Sequence, residues 1–219
     1  MVQISTIGVD NCVKDLTITV DIFLKSTDSE GLVIAIAGGT CSGKSSLAIK
    51  LAQSITNASH STTVLNLDDY YKDYDHPDFP FDAEYRAIYD LPQSYLLAEL
   101  RRDLKFLLAG KSVKVPTYDK KISKRLKGKK RLVGPSSVII VEGLFAIVAL
   151  QKVMCDIITI FIDTDHDIMV KRRLKRDVGS LHKTPEEALA FIVERVDPYF
   201  EEYVKPQKFM AKIVLINND

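Results

Sequence analysis

The sequence lacks the features that would assign it early to a membrane, to a disulfide-bonded scaffold or to a nucleic-acid surface. No apolar run approaches the roughly 20 residues that a membrane-spanning helix requires. Cys12, Cys41 and Cys155 are odd in number and widely spaced. This predicts reduced thiols in a cytoplasmic protein and no zinc site. Charge of one sign is also missing: 30 Lys and Arg oppose 29 Asp and Glu, a formal net charge of +1. No global field therefore draws the chain to nucleic acid or membrane. The first residues show no basic stretch followed by an apolar core, so no secretory leader is expected. Internal repeats are absent. What is present, 219 residues that are 46% hydrophobic, suffices for the core of one α/β domain.

One stretch dominates. Leu32–Ala37 is a short unbroken apolar run, as a strand buried on both faces would be. It leads into Gly38-Gly39-Thr40-Cys41-Ser42-Gly43-Lys44-Ser45, followed by Ser46 and an apolar helical pattern. This is G-x-x-x-x-G-K-S, the phosphate-binding loop of nucleoside triphosphatases and kinases. Its glycines let successive backbone N–H groups turn toward phosphate oxygens. The helix that follows presents the positive end of its dipole. Lys44 is placed to bridge the β- and γ-phosphates of a nucleoside triphosphate, and the Ser45 hydroxyl to ligate Mg²⁺.

Two further strands end in carboxylates. Thr62–Leu67 runs into Asp68-Asp69, and Ser136–Val141 into Glu142. Ligands of open parallel sheets sit beyond the carboxyl ends of the strands. Asp68 is thus a candidate general base or Mg²⁺ orienter, and Glu142 an acid that holds a Mg²⁺-bound water or Lys44. Residues 73–92 form a long loop containing His76, Tyr89 and Asp90, with His76 read as a solvated loop residue. A helix is expected from Ser94, its cap, to Gly110. Lys120–Arg131 holds eight basic residues and no acid, and is read as a solvated hairpin arm turning near Gly128. His166–Asp177 is helical; Arg172 and Arg176, four apart, share a face that can clamp phosphates, and Arg173 can pair with Asp177. Residues 178–184 are expected to form a short lid, and Thr184-Pro185-Glu186-Glu187 opens another helix. Ile213–Ile216 is a last strand. Residues 1–30 are an extension of unknown role, in which Thr17–Ile22 alternates loosely as a strand does; 31–219 form the catalytic domain.

These segments together resemble the uridine kinase branch of the phosphoribulokinase/uridine kinase family. The resemblance rests on GGTCSGKSS, LDDYYK, YDLP, LLAGKSVKVPTYD, VIIVEGLFA, DTDHDIMVKRRLKRD and DPYFEEYVKPQK, in the family's order. It implies a P-loop α/β fold with a five-stranded mostly parallel sheet flanked by helices, a projecting β-hairpin and a short helical lid. It further implies an ATP- and Mg²⁺-dependent kinase acting on the 5′-hydroxyl of uridine or cytidine. Lys44, Asp68, Arg172 and Arg176 would be catalytic. Gly38 to Ser46 and Arg173 would bind nucleotide. Asp68, Tyr71, Tyr89, Asp90, Tyr118 and Arg172 would bind the acceptor, and Ser45, Asp68 and Glu142 the metal. A homo-oligomer fits the family. The sequence departs from the pattern on the acceptor side: Lys120 and Ser123 replace an aromatic and a histidine, and Leu91, Gln93 and Met169 differ as well. Two other functions therefore stay open. One is a kinase of the same family for another hydroxylated metabolite, such as a sugar phosphate or a vitamin-like alcohol. The other is a nucleotide-binding regulatory module without turnover.

Overall fold

The computed structural model describes residues 3–5, 9–26, 31–181 and 184–218. Its centre is a parallel sheet whose middle strand is the apolar run before the phosphate loop. The strands are β1 (Gln3–Ser5), β2 (Leu32–Gly38), β3 (Thr62–Asn66), β6 (Val138–Glu142), β7 (Asp156–Asp163) and β8 (Ile213–Ile216). They lie in the order β1-β8-β7-β2-β6-β3, with every neighbouring pair parallel. The five expected sheet strands are present, and β1 from the N-terminal segment extends the edge as a sixth.

Every residue of β2 is buried, and its alternation divides the core. Val33, Ala35 and Ala37 join a cluster with Leu100, Leu104 and Phe145, packing α3 (Leu97–Leu108) and α4 (Ala146–Leu150) on one face. Leu32, Ile34 and Ile36 join Leu47, Leu51 and Ile55 of α2 (Lys44–Asn57) on the other. Period-2 side-chain direction is what lets one apolar strand serve two layers.

The N-terminal segment is helical where a strand is expected. The chain from Val9 to Ser26 forms α1, which includes Thr17–Ile22. Cys12, Leu16 and Val20 recur every four residues and are buried in the same cluster as α2. That spacing overrides the β propensity of the Thr-Ile-Thr-Val run.

The hairpin also differs in detail. Strands β4 (Val113–Asp119) and β5 (Lys124–Val133) pair antiparallel as a separate two-stranded sheet. Their turn is at residues 120–123, not near Gly128. The Asp119 carboxylate accepts from the Lys121 N–H at 2.9 Å to close it, an Asx-type turn. Gly128, at φ +76°, lies where the register slips, with Pro116 opposite Lys130 but Tyr118 opposite Arg125. Ser94 does not cap α3 as expected: its buried hydroxyl donates to the Ile88 carbonyl at 2.6 Å and closes the long loop instead. The helix α5 (His166–Leu181) continues past Asp177; His182 and Lys183 of the expected lid lie outside the described residues. Helix α6 (Pro185–Arg195) starts with the anticipated capping box between Thr184 and Glu187. No described helix is long and apolar enough to cross a membrane.

Candidate active site

The site is assembled at one edge of the sheet, where β2, β3 and β6 end. Register aligns Ile36 with Glu142 and Asn66 with Glu142. The loop after β2, the turn after β3 and the last residue of β6 therefore converge, as expected for ligands of an open parallel sheet.

The phosphate loop follows β2 directly. Gly43, at φ +102°, closes it. A Cβ there would lie 2.5 Å from the Asn217 amide nitrogen, so both conformation and space demand glycine. The loop is braced from behind. The buried Ser42 presents its carbonyl to Asn217 Nδ2 at 2.7 Å and to Thr164 Oγ1 at 3.3 Å. Met169, buried in α5, packs against Gly39, where an added Cβ would lie 2.5 Å from its sulfur. That residue is loop packing and faces no acceptor. Thr40 and Cys41 are the rim. The half-buried Lys44 donates to the Gly39 carbonyl at 2.6 Å. Its ammonium is held below the usual lysine range by burial, against the opposing pull of Glu142.

Glu142 is 4% exposed. Burial raises its carboxyl, while Lys44 and a hydrogen bond from Ser45 pull it down. That bond joins Ser45 Oγ to Glu142 Oε1 at 3.0 Å. A hydroxyl and a carboxylate so disposed, with the Asp68 carboxylate in the same cleft, are hard oxygen donors of the kind Mg²⁺ takes when it keeps waters and phosphate oxygens as its other ligands. The residues present therefore fit a magnesium ion.

Asp68 is positioned by a residue that the sequence reading missed. Asn66 caps the short 3₁₀ turn Leu67–Tyr70, its side chain accepting from the Asp68 N–H at 2.8 Å. This leaves the Asp68 carboxylate free of the capping role. It meets Lys120 Nζ at 2.5 Å across the cleft. Asp69 turns the other way: its carboxylate accepts from the Tyr118 N–H at 3.5 Å and ties the hairpin to the strand end.

Two clefts meet at Lys44, Ser45, Cys41 and Arg176. One, of about 720 Å³, also contains Gly43, Ser46, Lys50, Arg172 and Asn217. The other, of about 540 Å³, contains Asp68, Tyr71, Tyr89, Asp90, Tyr118, Lys120, Glu142 and Arg173. The arginines of α5 divide between them by helical geometry. Arg172 Nη1 lies 3.3 Å from the Cys41 carbonyl and Arg176 Nη1 3.5 Å from Thr40 Oγ1. Arg173, turned about 100° from Arg172, faces the second cleft, where Asp177 accepts from its Nε at 3.3 Å and from Arg176 Nε at 2.8 Å. Arg172, expected at the acceptor, thus lines the first cleft, and Arg173, expected at the nucleotide, lines the second.

The second cleft is walled by aromatics. Tyr71 stacks on Tyr95 at 4.0 Å between centroids, and Tyr118 and Tyr89 lie at 5.2 and 5.9 Å from Tyr71. Tyr89 donates to Ser123 Oγ at 2.9 Å. Asp90 lies among them, and desolvation raises its carboxyl to about 6 against the pull of Arg173. Phe191 and Arg195, four residues apart on α6, complete the wall. Arg195 donates to the Ala87 carbonyl at 3.0 Å and holds the 73–92 loop in place. Neither was anticipated: their i,i+4 spacing on a helix carries no chemistry of its own. His76 takes its expected place away from the chemistry, accepting from the Asp78 N–H at 3.1 Å within a loop turn.

A phosphate loop on a parallel sheet, with strand-end carboxylates and an arginine helix across the cleft, defines the protein as a P-loop kinase. The comparison with known proteins makes this particular: residues 33–217 match the Phosphoribulokinase / Uridine kinase family, to which the chain belongs. It is 33% identical over 188 residues to the uridine kinase of Macrococcus caseolyticus, covering 85% of this chain and 88% of that one. It is 35% identical over 186 residues to the uridine kinase of Staphylococcus epidermidis, covering 84% and 86%. In three dimensions it is similar to D-glycerate 3-kinase from Cryptococcus neoformans, with a TM-score of 0.68 at 16% identity over 96% of this chain and 95% of that chain. The chain is accordingly an ATP-dependent phosphotransferase that acts on a hydroxyl of a small molecule.

Proposed function

We propose that the protein transfers the γ-phosphoryl group of ATP to a primary hydroxyl, with the 5′-hydroxyl of uridine or cytidine as acceptor. One observation carries the reading. Asp68 lines the cleft that holds Asp90 and three tyrosines, and that cleft shares Lys44 and Ser45 with the first. The acceptor hydroxyl gives its proton to Asp68 as its oxygen bonds to the γ-phosphorus, and the bond to the β-phosphate oxygen breaks to release ADP. Lys44, Arg172 and Arg176 neutralise the charge that spreads over the phosphoryl oxygens. Ser45, with Glu142 and Asp68, would hold Mg²⁺, which would supply positive charge against the β- and γ-phosphates. Asp90 grips the ribose hydroxyls, and Tyr118 with Tyr71 and Tyr89 gives the base an aromatic wall. Catalysis of this kind is positioning and electrostatics, with little covalent work for the protein. Free thiols at Cys12, Cys41 and Cys155 suit a cytoplasmic enzyme of this sort.

A specific contact favours a second reading. Lys120 holds Asp68 at 2.5 Å where the family pattern has an aromatic. An acceptor bearing its own phosphate or carboxylate would draw that ammonium away and free the base. A panel of hydroxylated acceptors with labelled ATP tests both. Uridine- and cytidine-dependent ADP release is the expected result. Release with sugar phosphates or carboxylated alcohols alone would transfer the proposal to an anionic acceptor, and release with none would favour a regulatory nucleotide-binding module.

A further inference from the structure

The first turn of α1 opens onto the 720 Å³ cleft, where Val9, Asp10 and Asn11 line it together with Arg172 and Arg176. This turn precedes the segment that matches the family, which begins at residue 33. It is fixed in place along its length. Asp10 pairs with Lys50 of α2 at 2.7 Å. Thr17 Oγ1 donates to Ser54 Oγ at 2.8 Å, and Asp21 meets His60 at 2.9 Å. Cys12, Leu16 and Val20 are buried between these polar ties. A helix anchored at three levels presents its first turn in a defined position.

The chemistry of the cleft is graded. Its floor, Gly43 to Ser46, and its arginine wall are where phosphates belong. A nucleotide seated there must send its sugar and base outward, between α5 and α1. On α1, Asn11 offers a paired donor and acceptor, the pattern that matches a base edge, and Val9 offers apolar surface. Asp10 would repel a triphosphate, but Lys50 neutralises it.

We propose that α1 is the wall of the nucleotide cleft that contacts the ribose and base of the donor, with Asn11 and the Asp10–Lys50 pair as its polar contacts. The appended helix then sets donor affinity, and the proposal rests on the reading of the phosphate loop as a triphosphate site. Calorimetric titration of the full chain and of the variant Asn11→Ala, with Mg-ATP and with Mg-tripolyphosphate, tests it without any acceptor and leaves the Asp10–Lys50 pair intact. The expected result is an ATP dissociation constant raised about three- to thirtyfold, as for one or two lost hydrogen bonds, with tripolyphosphate binding unchanged. The substituted side chain is exposed, and coincident thermal melts will show that the fold is intact. ATP affinity that stays at the parent value, or that falls in step with tripolyphosphate, overturns the proposal while leaving the triphosphate site in place. Failure of the parent protein to bind either ligand removes the triphosphate site and the proposal together.

Discussion

The two halves of the cleft are built by opposite strategies. The phosphate half comes from one contiguous run, Gly38 to Ser46, whose shape depends on backbone conformation and on glycines that tolerate no side chain. The acceptor half is drawn from six places: the turn after β3, the 73–92 loop, the hairpin, the end of β6, α5 and α6. A backbone cradle recognises any triphosphate, since N–H groups and a lysine read charge and geometry only. A side-chain wall can be rewritten residue by residue without disturbing the sheet. Of the departures that the resemblance implies, Lys120 and Ser123 line the second cleft, and Leu91 and Gln93 follow Asp90 in the chain. The one such departure that touches the phosphate loop, Met169, is a packing residue.

The comparison is broken most sharply at Asp68, which lines the second cleft beside the shared Lys44 and Ser45. Asp68→Asn is expected to lower kcat by about 10²–10⁴, the usual worth of a general base, with ATP affinity retained. Steady-state kinetics beside a nucleotide titration will check this; near-normal turnover would remove Asp68 from its role. Asp90 tests the acceptor half alone. Its carboxyl titrates near 6, above its value of 3.8 in the unfolded chain. The ionised form, the one that could accept hydrogen bonds from a ribose under the proposed function, predominates above pH 6 and is lost as pH falls through that value. Acceptor KM should rise below about pH 6 while ATP KM holds, and an Asp90→Asn variant should lose this pH dependence. Because the folded pKa is raised, the ionised carboxylate costs stability above about pH 6. The same variant should therefore melt higher than the parent at pH 8, a stability gained at the expense of binding.

Much of the phosphate half was legible in the residues because its signal is local: a buried strand, a glycine loop and a helix in fixed order. The strand-end acids were legible for the same reason, since topology brings β-strand C-termini to one edge. The acceptor half was legible only as separate residues. Nothing in the spacing of Phe191 and Arg195 relates them to Ala87, more than a hundred positions earlier, yet Arg195 holds that carbonyl at 3.0 Å. The helix of residues 9–26 was misjudged because Thr and Ile suggest a strand, whereas the decisive signal was the four-residue recurrence of Cys12, Leu16 and Val20. The hairpin turn was misplaced for a related reason: a glycine draws attention as a turn former, but here Gly128 serves a register slip and Asp119 makes the turn.

Lys120 offers a finer cut between acceptors. Lys120→Met removes the ion pair with Asp68, an exposed contact whose loss costs little stability, about 0–1 kcal/mol. Uridine KM is expected to change less than about threefold, because a neutral nucleoside makes no use of the ammonium. A tenfold or larger rise, about 1.4 kcal/mol, confined to phosphorylated or carboxylated acceptors would instead mark Lys120 as an anion contact. The smallest effect expected is remote. Thr184 and Glu187 cap α6 reciprocally, and α6 carries Phe191 and Arg195 to the acceptor wall. Thr184→Ala should cost about 1 kcal/mol of stability, read as a lowered denaturation midpoint. It should also raise acceptor KM slightly and leave ATP KM where it is, because among the described residues no hydrogen bond or ion pair joins Thr184 or Glu187 to the phosphate loop. An equal rise in both constants would mean that the two halves are mechanically coupled through α6, and that the acceptor wall is less independent of the phosphate cradle than its construction implies.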